Sequence, residues 1–296
     1  MNHGFIEVLP QVRDFVLGST LQSTKVILST ERSFASSLPV VERQARPFET
    51  FSCVSFSALN NLEIIYKRQF GTELNFSDRY LASMSGTVPG QGNNFTKVGD
   101  TLRKVGAVME GDYPWGGSNN AEYLIKPGQQ IVEKGKALLT AHEIQYEWVG
   151  WGGCRPDQLY EALQYGPLQV SVDSDATRTK QISTAVNHAV TIYESVKGSK
   201  FGIFDHYDGF TYDVPWNFYF GSALQYSLLK KKFLPLVMVY GKPEIYAIVG
   251  TTAQHIGNEA TWHYGESIGL WEKKIEMLTQ NSFNNAYTLG KQLIIK

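Results

Sequence analysis

Two cysteines occur in this chain of 296 residues, Cys53 and Cys154, and their settings differ. Cys53 opens the run CVSFSALNNLEIIYKRQF, which has the period of a helix. A thiol at a helix start faces backbone N–H groups that lack intrahelical partners, together with the positive end of the helix dipole. Both favour the thiolate. A thiolate attacks a carbonyl carbon without the strong base that a serine hydroxyl needs. Cys154, in WGGCRPD, has no such helix start and reads as an inert buried thiol. Beside His188 stand His3, His142, His206, His255 and His263, with no His-x-x-x-His pair and no cysteine pair among them. A metal site is therefore not expected, nor is a disulfide scaffold. The chemistry on offer is a thiol nucleophile acting without metal or cofactor.

The elements that must position such a thiol can be read from periodicity. In the helix expected over 53–70, Phe56, Leu59, Leu62, Tyr66 and Phe70 recur on one face. A hydroxyl of Thr50 or Ser52 is suited to cap its first turn. Residues 1–48 hold short apolar pieces separated by Ser and Thr, and read as strands and loops. A glycine-rich loop (GTVPGQGNN, 86–94) precedes a second helical stretch at 95–105. Residues 127–151 read as strand and turn material, with Trp148 and Trp151 as packing aromatics, and 156–166 as a short helix stopped by Gly166-Pro167. From Leu168 the period changes to two: LQVSVD, AVNHAVTIY and KFGIFDHYDG read as strands of an antiparallel sheet.

The segment 230–242 changes character and reads as a linker, and 243–296 as a small β-β-α-α-β module. In that module EIYAIVG and AQHIG form a hairpin, helices start near Asn258 and near Thr279 and Asn281, and KQLIIK closes as a strand. The peptide is balanced in charge, with 27 basic against 28 acidic residues, so neither nucleic acid nor an acidic membrane surface is expected as a partner. The longest apolar run, Phe233–Tyr240, is far too short to span a bilayer. The N-terminal residues lack the pattern of a secretory signal. With no disulfide expected, a reducing compartment or a particle assembled in one is the expected setting.

The run CVSFSALNNLE resembles the active-site helix of the papain family of cysteine peptidases. That family has cysteine, two residues, then Phe-Ser-Ala, and a glutamate ten positions on, here Glu63. His188 lies 135 residues after Cys53, within the family's spacing of about 130–150. Its run Asn187-His188-Ala189-Val190 matches the family's histidine strand, as GPLQVSVD matches the strand before it. Asp205 stands where the family carries asparagine, and Tyr207 where it has a shielding tryptophan. LNFSDRYLASMS, the GQGNN loop and GAVMEGDYPW extend the resemblance over about 40–229. Two departures are clear. The family's additional cysteines are absent, and its oxyanion glutamine, six residues before the nucleophile, is replaced by Pro47; the nearest glutamine, Gln44, would serve across a three-residue insertion.

The resemblance implies an α+β papain-like domain over 1–229, with a helical left half, a β right half and the active site between them. It implies a peptidase hydrolysing protein or peptide substrates through a thioester. Cys53 would be the nucleophile, His188 the acid and base, Asp205 the orienter, and Gln44 with the Cys53 N–H the oxyanion donors. Gly90, Gly92, Asn93 and Tyr207 would line the substrate cleft. No cofactor is implied. The 52 residues ahead of Cys53 are too few for the family's helical propeptide, and by analogy the compact form suggests bacterial or bacterial-virus enzymes. Two rival readings are a transglutaminase-like thiol acyl-transfer enzyme and an inactive papain-like binding or structural protein. The C-terminal module is a candidate docking element for a protein partner.

Overall fold

Cys53 opens helix α1 (Cys53–Phe70) in the computed structural model, which describes residues 4–11, 26–45, 47–207, 210–230, 235–249, 251–257, 262 and 275–290. The helix stops where Gly71 takes the left-handed conformation (φ 70°) and its N–H bonds back to the Lys67 carbonyl. Burial goes beyond the one apolar face expected: every residue from Cys53 to Ile65 is buried, including Ser55, Ser57, Asn60, Asn61 and Glu63. Buried polar groups persist where they are hydrogen-bonded. The Ser57 hydroxyl donates to the Cys53 carbonyl (2.7 Å), the Asn61 amide to the Ser57 carbonyl and Thr191 Oγ1, and the Phe76 N–H to Glu63 (2.6 Å). The expected hydroxyl cap does not form. Ser52 stands at the cap position without a side-chain bond to the helix, its hydroxyl paired instead with Thr50 Oγ1.

Helix α2 (Asp78–Ser85) is capped by the Ser77 hydroxyl, and α3 (Phe95–Val105) by the Asn94 side chain, each accepting an N–H of the first turn. After α4 (Asn120–Tyr123) comes α5 (Gln129–Ala141), which corrects the strand-and-turn reading of 127–151 over its first half. Its Gln, Glu, Lys, Ala and Leu residues are strong helix formers. Gly135 is where α5 meets α3: a Cβ there would lie 2.7 Å from the Val105 carbonyl. Strand β1 (His142–Gly150) follows, then α6 (Pro156–Ala162), β2 (Leu168–Val172), α7 (Ser174–Thr179), β3 (His188–Val196), β4 (Lys200–Phe204), β5 (Thr211–Pro215) and β6 (Ala223–Lys230). The sheet order is β1-β6-β2-β3-β4-β5, with β6, β2, β3, β4 and β5 pairing antiparallel. Helix α1 packs against β2 and β3. The architecture is α+β. Among the described residues before α1 there are isolated bridges (Phe5 to Asn93, Ser33 to Glu194) and one 3-10 turn at Ala35–Ser37 rather than strands. Phe34 there is buried with Ile64, Tyr193 and Phe204, so these apolar pieces serve as packing loops.

The chain divides into two units: Met1–Leu138 with Ile144–Leu229, and Leu139–Glu143 with Lys230–Lys296. The second holds β7 (Leu236–Val239), β8 (Ile245–Val249), β9 (Thr252–His255), β10 (Ile275–Leu278), α8 (Gln280–Ala286) and β11 (Thr288–Leu289), in the order β10-β7-β8-β9-β11. The expected linker 230–242 thus contains a strand: β7 pairs with β8 on one side and β10 on the other, burying Leu236, Val237 and Val239. Strands β8 and β9 are the expected hairpin, and Thr279 caps α8. Asn258, Phe233, Leu234 and the closing run KQLIIK lie outside the described residues. No helix among the described residues is long and apolar enough to cross a membrane.

Candidate active site

The packing of α1 on β3 brings the first residue of each together, Cys53 and His188, and both are fully buried. Asp205 follows the end of β4, the neighbour of β3, and is buried as well. Its Oδ1 lies 2.8 Å from His188 Nε2, so that nitrogen donates to the carboxylate and Nδ1 is left for the thiol side of the ring. Burial disfavours a charged imidazole. The charge and hydrogen bond of Asp205, followed by those of Cys53, outweigh it and push His188 up to about 10. Burial would likewise raise Asp205, but His188 and the Tyr212 hydroxyl hold it down at about 2. The result is an imidazolium clamped between a carboxylate and a sulfur, at a helix start with no acidic residue in its first turn.

Asp205 is itself held by several donors. Oδ1 also accepts the His206 N–H (2.7 Å), and Oδ2 accepts the Tyr212 hydroxyl (2.9 Å). Tyr212 was not legible as part of the site, although the alternation of TYDVP along β5 places it on the inner face. His206 is a second buried histidine beside the site with a different role. Its Nδ1 donates to the Glu42 carbonyl (3.3 Å) and its Nε2 accepts from the Asn60 amide. Burial, with the nearby charge of His188, lowers it to about 4, so it stays neutral.

The Tyr207 ring lies edge-on to that of His188, with ring centres 5.0 Å apart. Gln44 is buried, and its amide donates to Glu49 Oε1 (3.0 Å) and to the Tyr207 oxygen (3.1 Å), while the Tyr207 hydroxyl donates to Glu49. Burial and the Glu49 carboxylate push the Tyr207 hydroxyl far above the usual phenol range. The carboxylate also accepts the N–H of Phe51, which holds a positive φ of 56°. Glu49 lies in the stretch between Gln44 and Cys53 and was missed because nothing in its type or spacing marks it. The loop before α3 has Gly90 and Gly92 at φ 76° and 89°, closed by reciprocal bonds between Val88 and Gly92. The Asn93 side chain is buried and donates to Ser85 Oγ (3.0 Å), while its backbone N–H and C=O bond to Gly4 and Ile6. Asp208, an alternative orienter by sequence, lies outside the described residues.

Cys154 is 9% exposed, and burial, with the charge of Glu7, pushes its thiol up to about 12. Trp148 is fully buried as a packing residue. One turn along α1 from Cys53, Phe56 helps to line a separate cavity of about 370 Å³ with Glu42, Asp78, Arg79 and Glu110. Burial, with repulsion from Glu42, raises Asp78 well above its ordinary value and Glu110 to about 7.

Solved structures place this arrangement among known folds. Procathepsin L 3 of the Tenebrio molitor larval midgut superposes with a TM-score of 0.54 at 16% identity, over 76% of this chain and 76% of that one. The bromelain protease of Ananas comosus matches with a TM-score of 0.51 at 15% identity, over 66% and 97%. The cysteine protease CMS1MS2 of Carica candamarcensis gives 0.52 at 13%, over 68% and 98%. The fold is papain-like. At these identities the likeness establishes the fold alone. No family model matches the chain, and no curated protein does.

Proposed function

We propose that the protein is a cysteine peptidase in which Cys53, His188 and Asp205 act as nucleophile, acid–base and orienter. The observation that supports this most is a buried histidine held between a carboxylate and a cysteine at a helix start. A structural ion pair has no need of a thiol on the second ring nitrogen. In the reaction, the Cys53 sulfur adds to a peptide carbonyl and forms a C–S bond. His188 gives its proton to the departing amine as the C–N bond breaks, leaving a thioester. His188 then takes a proton from water as the water oxygen adds to the thioester carbonyl; the C–S bond breaks, releasing the acid and leaving the Cys53 thiolate beside the reprotonated His188. Asp205 keeps Nε2 protonated and the ring in place. Gln44 and the Cys53 N–H are the proposed oxyanion donors, and for Gln44 the oxyanion takes the place of the Tyr207 oxygen as acceptor. Gly90, Gly92, Asn93 and Tyr207 border the substrate.

The substrate class is peptide or protein, and the second unit is a proposed docking element for a protein partner. The test is covalent labelling by a peptidyl epoxide together with a cleavage profile on a peptide library. Labelling at Cys53 with cleavage is the expected result. Labelling with transfer of a glutamine acyl group to an amine, and no cleavage, would reassign the chain to acyl transfer. No labelling and no cleavage would make it a binding or structural protein.

A further inference from the structure

The cavity beside Phe56 gathers carboxyls that the proposed reaction does not use. Glu42, Asp78 and Glu110 line it, and Glu63, two turns along α1 from Phe56, is close enough to repel Asp78. Asp78, the first residue of α2, is 5% exposed; its carboxyl meets that of Glu42 and no N–H or O–H of the described residues. The other three have neutral donors. Glu42 accepts the Asn75 amide (3.2 Å), Glu63 the Phe76 N–H and Glu110 the Trp115 N–H. None of the four is in an ion pair among the described residues. Arg79 also lines the cavity, but its nitrogens donate to the carbonyls of Pro114, Glu122 and Tyr123, and its guanidinium lies over the Tyr113 ring. The Arg43 guanidinium lies over the Phe210 ring. Burial, and after it repulsion among the carboxyls, holds Glu63 and Asp78 well above the ordinary range and Glu110 at about 7. Acceptors gathered in this way and short of donors suit a cation that brings its own N–H groups.

The remaining walls set the class of that cation. Val41 is apolar and Phe56 and Trp115 are aromatic, and an aromatic face attracts an ammonium group as well as an apolar body. The volume of about 370 Å³ falls within the range of small-molecule pockets, about 300–1,000 Å³, and is far larger than a bare ion fills. Among the described residues, no group of three acidic, histidine or cysteine side chains is placed to hold a metal ion. We infer that this cavity is a binding site for a small organic cation, an aralkyl ammonium or amidinium, with Asp78 and Glu110 accepting its N–H groups and Phe56 and Trp115 holding its ring. The site does not depend on the peptidase reading. His206 reports on it, because the Phe56 ring lies 4.6 Å from the His206 ring and the Glu42 carbonyl accepts His206 Nδ1–H.

The test is a titration of the full chain with benzylamine, read by NMR at the Trp115 indole and the His206 ring. Benzyl alcohol, which has the same shape without the charge, is the control. Benzylamine should shift both signals and saturate. Benzyl alcohol should bind at least about tenfold more weakly, the worth of a hydrogen bond to a charged group. Asp78→Asn and Glu110→Gln preserve side-chain size and remove the charge. Each should weaken benzylamine about tenfold and leave benzyl alcohol unchanged. Affinity should also rise about tenfold or more from about pH 5.5 to about pH 8. Asp78 and Glu110, surrounded by Glu42, Glu63, Arg79 and Tyr123, must release protons to receive the cation. No binding of benzylamine, equal affinity for the amine and the alcohol, or unchanged affinity in both variants would each overturn the inference. So would saturable shifts of the same signals by calcium where benzylamine gives none, which would make the cavity a metal site.

Discussion

Replacing Asp205 by asparagine and by alanine should have sharply different consequences. Burial disfavours the His188 cation, and Asp205 first and Cys53 second outweigh that penalty, which places the ring at about 10, well above an ordinary histidine. Asp205→Asn keeps an oxygen at the Oδ1 position for His188 Nε2 and for the His206 N–H, and its new amide can donate to the Tyr212 oxygen. The His188 and His206 donors keep their acceptor, the Tyr212 hydroxyl loses one, and the charge is gone. Loss of an adjacent opposite charge should lower His188 by about 1–3 units. The sign follows from linkage. A raised histidine contributes stability that is complete below about pH 6.5 and is lost as pH rises through about 10, so the variant should lose its alkaline stability and activity earlier than the parent chain.

Asp205→Ala instead leaves the His188, His206 and Tyr212 donors without an acceptor. At about 1–3 kcal/mol each, the cost is at least about 3 kcal/mol, or about 6–12 °C in Tm for a unit of this size. The measurement is an NMR titration of the His188 ring in the full chain, with thermal unfolding and the pH dependence of peptide cleavage beside it. Asp205→Asn should titrate lower and stay near the parent Tm. Asp205→Ala should melt lower and cleave least. A His188 titration in Asp205→Asn within about half a unit of the parent, or equal Tm values for the two variants, would refute the assignment.

Cys53→Ala should abolish cleavage while leaving the fold intact, whereas Cys154→Ala should leave rates within a few-fold, as measured on a library-derived peptide. Gln44→Ala should lower turnover by about 10²–10³ with little change in KM, the loss expected for one oxyanion donor; an unchanged turnover would mean that Gln44 serves only to hold Glu49 and Tyr207. His206 is stable as the neutral ring, so the fold should lose on the order of 3 kcal/mol as pH falls from about 6.5 to about 4. His206→Gln should flatten that part of the urea-midpoint profile.

Helix α1 and strands β2, β3 and β4 were legible because their periods are strong, and because the apolar run that makes each element also fixes where Cys53, His188 and Asp205 stand. What escaped has definite physical reasons. A buried helix carrying Ser57, Asn61 and Glu63 looks one-sided in sequence, because their partners Thr191, Gln169 and Phe76 lie far along the chain. α5 escaped because Gly135 is its one buried residue, so it presents no apolar stripe of the kind that marks α1. β7 looked like a linker because its neighbours in the sheet, β8 and β10, are defined only by tertiary pairing. A chain cut at 242 would therefore strand β7, and a cut intended to remove the second unit belongs at 229.

The contrast between His188 and His206 marks what sequence spacing cannot decide. Both are buried beside Asp205, eighteen positions apart, yet one rises to about 10 and the other falls to about 4. Burial opposes charge in both, so the difference lies in the partners of the rings. Asp205 touches His206 only through the backbone N–H, and that ring meets an amide donor at Nε2 and a carbonyl at Nδ1, a pair that suits the neutral tautomer. His188 presents Nε2 to the carboxylate itself and Nδ1 to the Cys53 side of the site, surroundings that favour the cation. One residue type thus becomes a neutral wedge under the site or its proposed proton carrier according to where a single carboxylate oxygen points. Position at the head of β3, facing the start of α1, is what gives His188 the second role.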